Sequence, residues 1–149
     1  MKQKNFSTPL SLKQMSITDK FWKSEMELVR NEVIPYQWEA LNDRLPDAEP
    51  SYSMHNFKVA GKITRAQKEQ GENYDKKIYS VDNFMDWPKD PEQAEDRFYG
   101  CVFQDSDYAK WIEAVGYSLE QHPDPQLEAI ADESIDIVCA AQQENGYLD

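Results

Sequence analysis

Hydrophobic residues recur along this chain with a helical period in three places, and the clearest two lie at its C-terminal end. Over 105–122, Tyr108, Trp111, Ile112, Val115 and Leu119 fall within a narrow arc, which predicts an amphipathic helix. Asp105, Ser106 and Asp107 place acceptors and negative charge at its start, and Pro123 ends it. A second helix follows after the turn His122-Pro123-Asp124-Pro125. Asp124 is its expected cap, Pro125 suits the first helical position, and Leu127, Ile130, Ala131, Ser134, Val138 and Ala141 line one face until Asn145-Gly146. So short a connection predicts an antiparallel hairpin over 98–149. Apolar stripes on both members need further helices to cover them, and the chain reads as a fragment.

Upstream the pattern is less regular. Residues 10–18 alternate at Leu10, Leu12 and Ile17, which predicts a short strand within an N-terminal segment of residues 1–18. Between Asp19 and Asp43, Phe21, Trp22, Met26, Val29, Val33, Trp38 and Leu41 predict a long helix capped by Thr18 or Asp19 and kinked at Pro35. Arg44 to Ser53 is rich in turn formers, and Met54 to Lys62 predicts a shorter helix. Residues 63–97 read as a long polar surface insertion, with Ile78 to Trp87 as a small hairpin or a cover over a neighbouring surface. The domain reading is therefore 1–18 as strand segment and 19–149 as partial helical domain.

Charge narrows the range of partners. The formal net charge is −12, and residues 1–89 hold 14 basic against 13 acidic side chains, while residues 90–149 hold 2 against 15. Affinity for phosphate backbones and anionic membrane surfaces comes from clustered Lys and Arg, so nucleic acid and membrane are not expected partners. No stretch approaches the roughly 18 apolar residues a membrane span needs, and the basic start lacks an apolar run of the kind that leads export. The expected location is cytoplasmic. Cys101 and Cys139 sit beside Val102 and Val138 without metal-ligand spacing, and two buried thiols are expected.

Candidate chemistry gathers at one end of the predicted hairpin. An antiparallel pair brings the first helix's start and the second helix's end together, so Gln104, Asp105, Asp107, Asn145, Tyr147 and Asp149 would share a rim. Amide, carboxylate and aromatic groups suit hydrogen-bonding and stacking on a sugar. The plainer alternative is that Asp105 and Asp107 only cap a helix. Trp22, Trp38 and Trp111 fall on apolar stripes and read as core, leaving Trp87 in a loop. His55 and His122 have no partner at metal or triad spacing, and there is no Gly-rich phosphate loop or Gly-x-Ser-x-Gly.

The segments FW and VIPYQWEALND within 21–43, HNFKVAG at 55–61 and GCVFQDSDYAKWIEAVGYSLEQHPDPQLEAIADESIDIVCAAQQENGYLD at 100–149 resemble the N-terminal part of glycoside hydrolase family 127, the β-L-arabinofuranosidase-like proteins. The resemblance implies the opening helices of an (α/α)6 barrel. It also implies a retaining exo-glycosidase with a cysteine nucleophile at a zinc site of Cys and Glu ligands, and a separate Glu as acid/base. In the family those residues lie downstream of the GYL motif, so no catalytic or metal role is assigned to any residue here. Zinc is expected in a full-length relative only, and no cofactor in this chain. Gln104, Asp105, Asp107 and Tyr147 are the candidate substrate-binding residues, contributing a pocket wall for carbohydrate in an intact enzyme, with no activity expected of the chain alone. The alternative from another class is a self-standing acidic helical interaction module that oligomerises through its exposed stripes.

Overall fold

The computed structural model describes residues 7–75, 88–100 and 103–148. These form a mainly helical assembly, the expected class: α1 (Lys20–Leu28), a π-helical turn (Val29–Val33), α2 (Ile34–Leu41), α3 (Ser53–Gln70), α4 (Asp105–Gln121) and α5 (Pro125–Ala141), with short 3-10 turns at Leu12–Gln14, Gly71–Asn73 and Pro91–Gln93. Among the described residues none is a strand, and no helix is long and apolar enough to cross a membrane.

The strand expected at 10–18 is replaced by a single tight turn. The Ser11 hydroxyl accepts from Lys13 N, and Ser11 N donates to Gln14 Oε1, so local side chains satisfy a backbone that has no partner strand. Leu10 and Ile17 stay exposed. The long helix begins where expected, with Asp19 Oδ1 accepting from Trp22 N at 3.0 Å. It differs at Pro35, whose missing N–H and bulky ring conflict with an uninterrupted α-helical ladder. The conflict is absorbed one turn earlier, in the wider turn Val29–Val33, and α2 continues from there.

The core forms where α2, α4 and α5 meet. Trp38 of α2 stacks on Trp111 of α4, with ring centroids 4.7 Å apart and planes 23° apart. The Trp111 indole N–H donates to Ile34 O at 3.0 Å, which gives its buried polar atom a partner. Ile34, Leu41, Met54, Tyr108, Val115, Leu127, Ala131 and Val138 complete the cluster, with Ile112, Leu119 and Ile130 packed on it. The expected core position of Trp22 is not realised. Trp22 and Phe21 are both 61% exposed, and α1 buries none of its residues.

α3 is longer than the pattern predicts, running to Gln70 and so into the stretch expected to be surface insertion. Its support is α5, which packs along it closely. Tyr108 reaches from α4 to both Phe57 and Ser134, an ideal Cβ at Gly61 would lie 3.4 Å from Ala140, and Thr64 Oγ1 donates to Ala141 O at 3.1 Å. These contacts follow the same order on both helices, so α3 and α5 run in the same direction. The absence of a side chain at Gly61 permits the approach. α5 starts as expected, with Asp124 Oδ1 accepting from Gln126 N and Leu127 N. It ends at Ala141, earlier than Asn145-Gly146. Cys139 faces solvent as a free thiol, contrary to the burial expected for it, since the buried face of α5 runs through Ser134, Val138 and Ala141. Cys101 and the expected hairpin around Ile78 to Trp87 lie outside the described residues.

Candidate functional site

Three helix ends converge on the segment 88–100: the end of α2 and the starts of α3 and α4. The turn into α3 depends on two non-glycine residues in the left-handed region, Asp43 at φ 58° and Tyr52 at φ 57°. Such backbone persists when the surroundings hold it, and here the Asp43 carboxylate does so. Its Oδ1 accepts from Ser51 N at 2.6 Å and from Tyr52 N at 2.9 Å. Burial raises the Asp43 pKa above the ordinary carboxylate value, outweighing the two backbone bonds from Tyr52 and Ser51 that pull it down.

The first turns of α3 then clamp the incoming segment. Tyr52 OH donates to Pro88 O at 2.6 Å, and its pKa is pushed up to about 12, by burial first and then by the Asp43 charge. His55 Nε2 lies 3.0 Å from Arg97 O. Asn56 uses both ends of its carboxamide on one residue, Nδ2 donating to Tyr99 O at 2.8 Å and Oδ1 accepting from Tyr99 N at 3.1 Å. The rings of Tyr52, His55 and Tyr99 sit 4.9–5.5 Å apart in a mutual cluster. Periodicity gives no access to this clamp, because each bond joins a side chain to a backbone roughly forty residues away in sequence. The His55-Asn56 pair was its one visible sign, as polar residues at a helix start.

Gln104 sits just after this segment, immediately before α4. Its carbonyl accepts from the buried Ser53 hydroxyl at 3.0 Å. Its carboxamide rests over Gly100, where φ is 84° and where a Cβ would overlap it. Gln104 Oε1 is buried and has no hydrogen-bond partner among the described residues. A buried acceptor in that state costs on the order of 1–3 kcal/mol until a donor reaches it.

The other rim candidates are arranged more loosely than antiparallel geometry predicts. Asp105 and Asp107 are exposed in the first turn of α4. Neither caps the helix with its side chain: Asp107 pairs with Lys110 Nζ at 3.0 Å, and Asp105 makes no side-chain hydrogen bond to the described residues. The structure does not support the plain capping role, beyond the general attraction of negative charge to a helix start. Tyr147 lies in a turn after α5, its N–H donating to Asn145 Oδ1 at 2.9 Å and its carbonyl accepting from Gln143 N at 2.9 Å, with its side chain half-exposed. Asp149 lies outside the described residues.

Antiparallel pairing alone would bring these two groups together, but α4 crosses α5 obliquely. Tyr108, in the first turn of α4, meets Ser134 in the middle of α5. The start of α4 is tied to Ser53 and the end of α5 to Thr64, 64 − 53 = 11 residues further along α3. At 1.5 Å per residue those anchors are about 16 Å apart. Gln104, Asp105 and Asp107 are thus neighbours at the start of α4, and Tyr147 sits with Asn145 in the turn after α5. Among the described residues no three His, Cys, Asp or Glu side chains gather closely enough to hold a metal ion.

Comparison with known proteins places the arrangement. Residues 14–149 match the family described as Beta-L-arabinofuranosidase, GH127 catalytic domain. The non-reducing end beta-L-arabinofuranosidase of Bifidobacterium longum subsp. longum is 36% identical over 135 residues, covering 91% of this chain and 18% of that protein. The crystal structure of a GH127 beta-L-arabinofuranosidase from Geobacillus stearothermophilus T6 superimposes with a TM-score of 0.65 at 45% identity, covering 90% of this chain and 16% of that one. The chain thus spans less than a fifth of the length of each of these relatives. The helices packed around a stacked Trp38–Trp111 pair, with FQDSD opening α4, match part of such a catalytic domain, and the chain belongs to the β-L-arabinofuranosidase-like family GH127.

Proposed function

We propose that residues 19–149 supply part of the wall of a sugar pocket in a β-L-arabinofuranoside-hydrolysing enzyme, with Gln104 as the principal hydrogen-bonding group, Asp105 and Asp107 beside it and Tyr147 contributing from the turn after α5. The observation that carries this reading is the Gln104 carboxamide, packed over Gly100 on a main chain that Ser53 holds, with a buried oxygen that meets no donor among the described residues. A sugar hydroxyl is a donor of the right kind. The chain's own residues would bind and orient the ring; the bond-breaking groups belong to the remainder of the enzyme, so the segment alone is expected to be inactive and to need no cofactor. A cytoplasmic location accompanies this reading, because the Cys139 thiol is free and exposed, a state that reducing compartments maintain.

The test is hydrolysis of an aryl β-L-arabinofuranoside by the full-length enzyme carrying this segment. Gln104→Ala should raise KM by roughly three- to tenfold, the worth of one neutral hydrogen bond, with melting unchanged or improved. Asp105→Ala should show a smaller effect in the same direction. Unchanged kinetics in both folded variants would refute the proposal and leave the two residues as ordinary parts of a helix start.

A further inference from the structure

The clamp on residues 97–100 and the placement of Gln104 are two ends of one device. Within the first two turns of α3, Ser53 and Asn56 act on Gln104 by different routes. Ser53 holds the main-chain carbonyl directly, at 3.0 Å. Asn56 fixes both backbone polar groups of Tyr99, and Tyr99 delivers Gly100 into the left-handed conformation directly beneath the Gln104 carboxamide. Only a residue without Cβ leaves room there, so Gly100 is a floor for the Gln104 amide as well as a turn. His55 steadies the same segment three residues before Gly100, through Arg97 O.

We infer that Asn56, acting through Tyr99 and Gly100, is a positioning residue that sets the depth and direction of the Gln104 carboxamide, and hence how tightly the enzyme holds its sugar. The inference rests on the sugar-contact reading of Gln104 for its effect on activity, although the coupling between the two residues does not. A two-ended amide grip resists both translation and rotation of the Tyr99 peptide, which a single hydrogen bond does not. That rigidity transmits a small polar side chain's influence to a group it never touches.

The experiment is a double-mutant cycle in the full-length enzyme, reading KM and melting temperature for Asn56→Ala, Gln104→Ala and the pair. Asn56→Ala alone should raise KM by roughly threefold or more, with kcat less affected, and should have little further effect on KM in the Gln104→Ala background. Equal effects of Asn56→Ala in both backgrounds, or none in either while Gln104→Ala raises KM, would overturn the inference and leave Asn56 as a purely structural clamp. If Gln104→Ala leaves KM unchanged, the sugar contact fails, and the melting data then decide the positioning role alone: non-additive shifts uphold it and additive shifts overturn it. Should Asn56→Ala not fold, Gly100→Ala replaces it in the same cycle. Its added methyl displaces the Gln104 carboxamide, and trimming Gln104 should remove that part of its effect.

Discussion

Replacing Trp111 should damage this protein more than replacing any other tryptophan described here, and the size of the loss follows from its surroundings. Trp111 is 2% exposed, stacks on Trp38 at 4.7 Å and donates its indole N–H to Ile34 O at 3.0 Å. A Trp side chain buries about 150–250 Å², worth roughly 4–6 kcal/mol at 25 cal/mol per Å². Partial collapse of the cavity brings Trp111→Ala to about 3–5 kcal/mol. Trp111→Phe keeps most of the stacking area and loses the donor, so about 1–3 kcal/mol is expected. Trp22→Ala is the internal control: at 61% exposure it should stay within about 0.5 kcal/mol. Denaturant unfolding followed by far-ultraviolet circular dichroism and by tryptophan fluorescence reads all three. Equal costs for Trp111→Ala and Trp22→Ala would refute the burial argument, and a Phe variant as damaging as Ala would refute the partition between stacking and hydrogen bond.

Three further outcomes are expected. Asp43 has a folded-state pKa above its unfolded value, so its contribution to stability is complete below the ordinary carboxylate range and is lost as pH rises through the raised value. Asp43→Asn should therefore match or exceed the parent at pH 7, while Asp43→Ala, which strands Ser51 N and Tyr52 N, should cost roughly 1–3 kcal/mol; an Asn variant as unstable as Ala in pH-dependent melts would contradict this. Gly61→Ala should be nearly neutral, its gain in helix propensity offset by a 3.4 Å contact with Ala140, whereas Gly61→Val should wedge α3 from α5 at about 1–3 kcal/mol, and a stable Val variant in thermal melts would show that the helices are not closely packed there. The isolated 149-residue chain should self-associate and bind a hydrophobic dye through the α1 face, where Phe21, Trp22, Leu28 and Val29 are 42–61% exposed; Trp22→Lys should reduce both, and a parent chain that sediments as a dye-silent monomer would oppose it.

The pattern of residues alone determined the two last helices and the turn between them. Asp124, Pro125 and the residues of each stripe act within one or two turns of themselves, so the chain needs no distant partner to express them. The same holds for Asp19 at the start of α1 and for the stacked Trp38 and Trp111, each placed on an apolar stripe by helical spacing. Spacing says that a face must be covered and not by what, which is why Trp22 and Trp38 read alike in sequence and yet end at 61% and 6% exposure. Tertiary packing made the remaining decisions. The polar residues 63–70 became helix because one side of α3 lies against α5, and the alternation at 10–18 became a turn because no described strand was there to pair with it. A hairpin's sequence specifies antiparallel order and leaves open what each end meets; packing tied the start of α4 to Ser53 and the end of α5 to Thr64. The grip of Asn56 on Tyr99 spans 43 residues, and a contact of that range exists only once the fold has brought its ends together.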